Sequence, residues 1–303
     1  MNSNVASLRA FVAEAIRRAA IPAEMEQNVM KEVIHLHILS ALSDARVLER
    51  VVFQGGTALR LCNGGERYSE DLDFVCGANG SYLGATEFEE IVHRALGAAT
   101  QTLAKNFGLS GTAVELKDPD NVAALRLDAI SVAAWQIRVP IDATSRAPRS
   151  FIKIEFANVP SYDNSAAVIT NRFLLPDIPN IILRAEQPME ILADKAVALT
   201  VRPVLKHRDI WDIWFLRRQL GAKVNRAMTE LKIKDYKTVD VVDKARDRIK
   251  LLSESRTEIE FIAEMSRFLP KTRVDEIKAF ALTKTILSEA ATFLREAVLP
   301  AST

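Results

Sequence analysis

The amino-acid sequence predicts an α+β protein, a mixed sheet with helices followed by an all-helical C-terminal part. Three observations carry this. From Val51 the chain breaks into short β-branched or aromatic runs separated by Gly, Pro, Asn and Asp, the texture of strands joined by turns. Beyond Pro188 those signals stop and apolar residues recur at helical spacing, which reads as helix after helix. The 303 residues are 49% hydrophobic and 26% charged, a globular composition with enough chain for two cores. The expected division is an α/β domain with N-terminal helices over residues 1–185 and a helical domain over residues 186–303.

Taken in order, Val5, Leu8, Phe11, Val12 and Ile16 have helical spacing, Ile21-Pro22 breaks the pattern, and it resumes from Met25 to Leu42, so two helices open the chain. His35 and His37 stand at i and i+2 in the second. That spacing points them to different faces, so packing or surface roles are expected rather than a shared metal. Strands are predicted at Val51 to Gln54, Leu72 to Val75, Gln136 to Ile141 and Phe151 to Ala157. A helix is predicted at Glu87 to Phe107, where Phe88, Ile91, Val92, Ala95 and Leu96 make an apolar stripe. The second part predicts helices at Met189 to Thr200, Arg208 to Leu220, Val239 to Ser253, Glu258 to Phe268 and Val274 to Glu296.

Apolar stretches fall short of the ~20 residues of a membrane span, and Met1 to Arg9 lacks the basic-then-apolar layout of a secretory signal. A cytoplasmic protein is the expectation. Cys62 and Cys76 are the only cysteines, too few for a disulfide framework or a zinc pattern. They read as buried small side chains, His93 and His207 as surface residues, and any metal as one held by oxygen. The net charge of +1 hides an asymmetry: residues 201–303 hold 21 Lys and Arg against 15 Asp and Glu, or +6, and residues 1–200 hold 19 against 24, or −5. A basic helical part is either a solvated surface or a nucleic-acid footprint.

The chemistry concentrates between Val51 and Val75. Val51-Val52-Phe53-Gln54 runs into Gly55-Gly56-Thr57-Ala58-Leu59-Arg60, a strand turning through glycines into a helix. Such a turn lets backbone approach a ligand and aims free N–H groups at a phosphate. Downstream, Arg67-Tyr68-Ser69-Glu70-Asp71-Leu72-Asp73-Phe74 places two aspartates at i and i+2 of a strand, on one face, with Leu72 and Phe74 on the other. Paired carboxylates suit Mg²⁺ ions that also take substrate phosphates. Glu155, interrupting the apolar run around Lys153-Ile154-Glu155-Phe156, is the third candidate ligand. Ser69, two residues before Asp71, is expected on the same face. Further on, Lys195 lies on the mostly apolar helix Glu190 to Leu199, and Arg208-Asp209-Ile210-Trp211-Asp212 puts two acids at i and i+3 of another. Either these ions pair internally, or they meet the nucleotide or move a proton.

These segments resemble nucleotidyltransferases with the DNA polymerase β type of active site, and more closely the AbiEii/AbiGii toxin family. The resemblance covers four motifs in order between Val51 and Leu216: the glycine turn, the Asp-x-Asp strand, the helix with a central lysine, and Arg-Asp-x-x-Asp. It implies a nucleotidyltransferase-type mixed sheet and a helical domain that completes the nucleotide site. It also implies a Mg²⁺- or Mn²⁺-dependent toxin of a type IV-like toxin–antitoxin module. Such an enzyme moves a nucleoside monophosphate from an NTP to an RNA acceptor, the tRNA 3′ end being the most concrete candidate, and is met by a cognate antitoxin. Carried over, Asp71, Asp73 and Glu155 are the metal ligands and belong to the catalytic set with Lys195, Asp209 and Asp212. Gly55, Gly56, Thr57, Arg60, Arg67, Ser69, Lys195 and Arg208 bind the nucleotide. The stretch Arg202 to Lys250, 14 basic against 7 acidic residues, is placed to hold RNA. Two alternatives stay open: a nucleotidyltransferase acting on a small molecule in the aminoglycoside manner, and a non-catalytic nucleotide- or partner-binding protein.

Overall fold

A computed structural model describes residues 7–77, 80–118, 132–142, 148–175 and 178–300; Val5 of the first predicted helix lies outside them. The chain divides into two compact units. One comprises Met1–Gly64 and Tyr68–Ala185, the other Gly65–Arg67 and Glu186–Thr303.

The first unit opens with α1 (Leu8–Ala19), whose first turn is capped by the Ser7 hydroxyl accepting from the Ala10 N–H, and α2 (Glu26–Asp44). Helix α2 is buried on nearly every side, and both His35 and His37 lie inside at 1% exposure. Then come β1 (Val52–Gln54), α3 (Gly55–Asn63), β2 (Asp71–Gly77), α4 (Ala85–Asn106), β3 (Glu115–Lys117), β4 (Val132–Pro140), β5 (Arg149–Pro160), β6 (Asn164–Ile169) and β7 (Ile181–Glu186). The seven strands form one mixed sheet in the order β3-β4-β5-β2-β1-β7-β6. Strand β2 runs antiparallel to β1 and parallel to β5, and β1 runs parallel to β7.

Register decides which residues share a face. Phe53 stands opposite Phe74, and Phe74 opposite Phe156. Their rings follow one another across the sheet at 5.2 Å, fully buried. Because side chains alternate along a strand, the neighbouring positions Gln54, Asp73 and Glu155 line up on the opposite face, with Asp71 beside Lys153 one step away. The aromatic ladder thus dictates where the acids point.

The second unit is helical: α5 (Pro188–Val201), α6 (His207–Arg218), α7 (Arg226–Asp235), α8 (Val241–Leu251), α9 (Ser255–Met265), α10 (Lys271–Ala279) and α11 (Leu282–Ala297). Proline at the first position of α5 costs no hydrogen bond there. The fold class is the one expected, a mixed sheet with helices and then helices alone. Five elements differ from the sequence reading. The helix expected over Val274 to Glu296 is two, because Ala281 takes a left-handed conformation (φ 51°) between α10 and α11. Helix α7 and strands β3, β6 and β7 were not anticipated. Helix α7, RAMTELKIKD, has too few apolar residues to show a stripe, and β7 abuts a helix with only Gln187 between. His207, expected at the surface, is 5% exposed with Nδ1 2.9 Å from Glu264; Phe261 packs edge-on to its ring. Among the described residues no helix is long and apolar enough to cross a membrane.

Candidate active site

In the sheet unit the site begins where β1 becomes α3. Gly55 has φ +77°, and a Cβ added to it would come within 2.4 Å of Asp73 Oδ2. Only glycine allows that backbone conformation and that approach together. The Thr57 hydroxyl donates to the Asp71 carbonyl, so the first turn of α3 is fastened to the strand that carries the aspartates. Gly55, Gly56 and Thr57 form that first turn, and the N–H groups there have no partner within the helix.

Strand β2 holds Asp71 and Asp73 half-buried while Leu72 and Phe74 are wholly inside. Its start is anchored from α2. Lys31 binds Glu70 at 2.7 Å, and His35 Nε2 lies 3.2 Å from the Glu70 carbonyl. Burial pushes the His35 pKa down to about 3, so the neutral ring donates there. Ser69, buried at 6% exposure, precedes the strand rather than lying in it.

Asp73 is the register partner of Glu155, and Asp71 that of Lys153. Lys153 Nζ lies 2.6 Å from Glu155 Oε2. Burial works against its ammonium, yet Glu155, Asp73 and Asp71 outweigh burial and raise its pKa above the ordinary lysine value. One cation and three carboxylates therefore share this face. Sequence reasoning passed over Lys153, although its i,i+2 spacing to Glu155 was a usable signal. The three acids do not draw together as a metal cluster does; among the described residues the carboxylates whose oxygens gather within 4.8 Å are Glu186, Glu190 and Asp194. That gathering belongs to a lysine: Lys232, fully buried, lies 3.2, 2.5 and 3.2 Å from the three. An ammonium takes the place an ion would need. The chemistry of Asp71, Asp73 and Glu155, oxygen donors beside a glycine turn, suits a divalent cation that also binds phosphate.

The arginines predicted for the nucleotide are engaged otherwise. Arg60, at 6% exposure, pairs with Glu32 and lies 3.5 Å from the centre of the Tyr68 ring. Arg67, at 4% exposure, forks onto Asp212 with both contacts at 2.6 Å, which is why Gly65–Arg67 belongs to the helical unit. Arg208 leans toward Glu264 at 3.4 Å and over the Phe268 ring.

In the helical unit Lys195 Nζ lies 2.7 Å from Asp209 Oδ1 and 2.7 Å from Asp212 Oδ2. Both acids are 2% exposed. Burial penalises the Asp212 charge, but Arg67 and Lys195 more than offset it and bring the pKa down to about 2. For Lys195, Asp209 and Asp212 likewise overcome burial and raise the pKa. Arg202, another residue the sequence reading did not single out, donates from Nη1 to Asp209 Oδ2 at 2.7 Å.

With this geometry established, comparison places the chain. Residues 37–283 match the family model described as nucleotidyl transferase AbiEii toxin, type IV TA system. Among solved structures, MenT4, a nucleotidyltransferase toxin from Mycobacterium tuberculosis, superimposes with a TM-score of 0.56 at 20% identity, over 94% of this chain and 89% of that one; it shares the fold. JHP933 from Helicobacter pylori aligns over 89% of this chain and 94% of its own at 16% identity, with a TM-score of 0.46. No curated protein matches the chain. Most of the chain lies within the family match, and the protein belongs to the AbiEii nucleotidyltransferase toxin family.

Proposed function

We propose that this nucleotidyltransferase toxin transfers a nucleoside monophosphate from an NTP to an RNA hydroxyl, the tRNA 3′ end being the acceptor of choice, and that Mg²⁺ serves the reaction. The observation that carries this is the face shared by Asp71, Asp73, Glu155 and Lys153, with the Asp73 carboxylate lying against the Gly55 backbone. Asp71, Asp73 and Glu155 would hold the metal, which supplies positive charge to the triphosphate oxygens. The free N–H groups of Gly55, Gly56 and Thr57 take phosphate oxygens. Glu155 accepts the proton of the attacking hydroxyl, and Lys153 keeps that carboxylate oriented. Pyrophosphate leaves as the new phosphodiester forms. In the helical unit, the basic stretch from Arg202 to Lys250 supplies charge for phosphates and RNA, a cognate antitoxin restrains the enzyme, and the reaction takes place in the cytoplasm.

The test is incubation of the purified protein with Mg²⁺, total RNA and each labelled NTP in turn. One NTP should label a tRNA-sized band, and Asp73→Asn should label none. RNA left unlabelled by all four NTPs overturns the proposal, and label on an added aminoglycoside instead favours a small-molecule acceptor.

A further inference from the structure

We propose that Arg248, together with Arg202, forms a phosphate-binding subsite within the helical unit, outside the family's motifs. The source of its phosphate rests on the function proposed above; the existence of the subsite does not.

Arg248 lies in the last turn of α8 and is 8% exposed. Its Nη2 donates to the carbonyl of Arg202, the residue that ends α5, while its Nε is buried and meets no acceptor. The acids on its own helix are taken: Asp243 pairs with Arg246 at 2.9 Å and Asp247 with Lys250 at 2.8 Å. The acid that Arg202 binds is taken too, since Asp209 gives one oxygen to Lys195 and the other to Arg202. Burial lowers the Arg248 pKa and no carboxylate counters it. In Arg67, Arg217 and Arg273, also partly or wholly buried, acids outweigh burial and the pKa rises.

A buried guanidinium lacking a counter-ion is costly unless an anion from outside completes it. Its planar fork fits phosphate oxygens. Capping the end of α5 explains Nη2 alone and leaves Nε and the charge unmatched. Arg202 supplies the way in: its side chain is 47% exposed and its backbone carbonyl holds Arg248 Nη2, so an anion drawn from solvent to Arg202 comes into the field of the Arg248 charge. Exposed Lys206, four residues on, adds to the local field. A phosphate can come from a nucleoside triphosphate or from an RNA backbone, and the two can be separated by experiment.

Arg248→Gln, Arg248→Lys and Arg202→Gln are compared with the unaltered protein in two measurements that need no turnover. In the first, inorganic tripolyphosphate is added during thermal melting. It should raise the melting temperature of the unaltered protein and of Arg248→Lys, and leave Arg248→Gln and Arg202→Gln nearly unmoved. In the second, the Kd for each labelled NTP and for bulk tRNA is determined. Losing a charge-assisted contact should weaken one of them about 10- to 100-fold in both Gln variants. A rise for NTP alone assigns the triphosphate, and a rise for tRNA, with a shallower salt dependence, assigns the RNA backbone. Should Arg248→Gln not fold, the exposed Arg202→Gln and the charge-keeping Arg248→Lys decide alone. The subsite is overturned if tripolyphosphate stabilises every variant equally, or if Arg248→Lys loses as much stability as Arg248→Gln with no change in any Kd. A protein that binds tripolyphosphate through Arg248 but transfers no nucleotide to RNA keeps the subsite and loses the proposed reaction.

Discussion

Asp71 and Asp73 on strand β2 and Asp209 and Asp212 on helix α6 look alike as acid pairs and live under opposite conditions. The strand pair is half-buried and shares its face with Glu155 and with Lys153, three carboxylates to one ammonium. The helix pair is 2% exposed, and Lys195, Arg67 and Arg202 all reach it, three cations to two carboxylates. An acid-rich, accessible face suits capture of a cation, whereas a buried pair enclosed by cations is a rigid joint. The first should govern activity and the second stability, and each variant below tests that division.

The largest effect is expected at the strand. Asp73→Asn, or Asp71→Asn, should cut nucleotide transfer by roughly a thousandfold or more, since it removes charge where transition-state charge is neutralised. Its melting temperature should stay near that of the parent, and growth inhibition in cells should vanish. Near-normal transfer or toxicity from either variant removes the pair from the chemistry.

Lys195→Ala should do the reverse. It leaves Asp209 and Asp212 buried beside a lost ammonium, and orphaning a buried charge costs about 3 kcal/mol or more, read from denaturant midpoints. If Lys195 also meets the nucleotide, the NTP concentration for half-maximal rate rises besides. An unchanged midpoint combined with a kinetic defect reverses the assignment of joint and site.

The strand half of this contrast was legible in the sequence because alternation on a strand is strict: Asp71 and Asp73 had to share a face, with Leu72 and Phe74 behind them. The family resemblance placed the glycine turn beside them. Lys153 was legible by the same rule and was passed over. The helix half was less readable. Spacing put Lys195 on an apolar helix and Asp209 and Asp212 on one face, but whether such ions pair with one another or wait for substrate depends on which helices pack together. Arg67 shows the limit most clearly. It stands in the motif before Asp71, yet its guanidinium binds a residue 145 positions away, a contact that no local pattern encodes. Arg248 gave no signal at all, since an arginine in a basic amphipathic helix reads as solvated surface.

Gly55 and Gly64 sharpen the comparison within the sheet unit. Both have positive φ, +77° and +74°, but an added Cβ meets Asp73 Oδ2 at 2.4 Å in the first and nothing within 4 Å in the second. Gly64→Ala should therefore cost only backbone strain, about 1 kcal/mol, with transfer activity intact. Gly55→Ala carries the same strain and must displace the Asp73 carboxylate as well. Its stability loss should be larger, about 2 kcal/mol, with transfer reduced at least about tenfold. Equal activity in the two variants implies that the position of Asp73 tolerates a shift and that the glycine serves the turn alone.

The smallest effect isolates the helix pair by pH. The Asp212 pKa is about 2 in the folded protein against about 3.9 in an unfolded chain. A carboxyl with a depressed folded pKa adds stability that is whole above the unfolded value and drains away as pH falls toward the folded one. The Asp212 ion pairs should therefore contribute fully above about pH 4 and lose about 2 kcal/mol between pH 4 and pH 2. Other groups titrate on the way down: burial holds His35 and His37 neutral, with pKa values near 3 and 4, so both proteins lose stability once the pH drops below about 6.5. The measurement is therefore the difference in unfolding free energy between the unaltered chain and Asp212→Asn, from pH 6 to pH 2. The histidine contributions are common to both and cancel, so only Asp212 tilts the difference. A gap that narrows by about 2 kcal/mol as the carboxylate takes up its proton identifies the pair as a stabilising joint. A gap that stays constant across that range means that Arg67 and Lys195 merely repay the cost of burying the carboxylate.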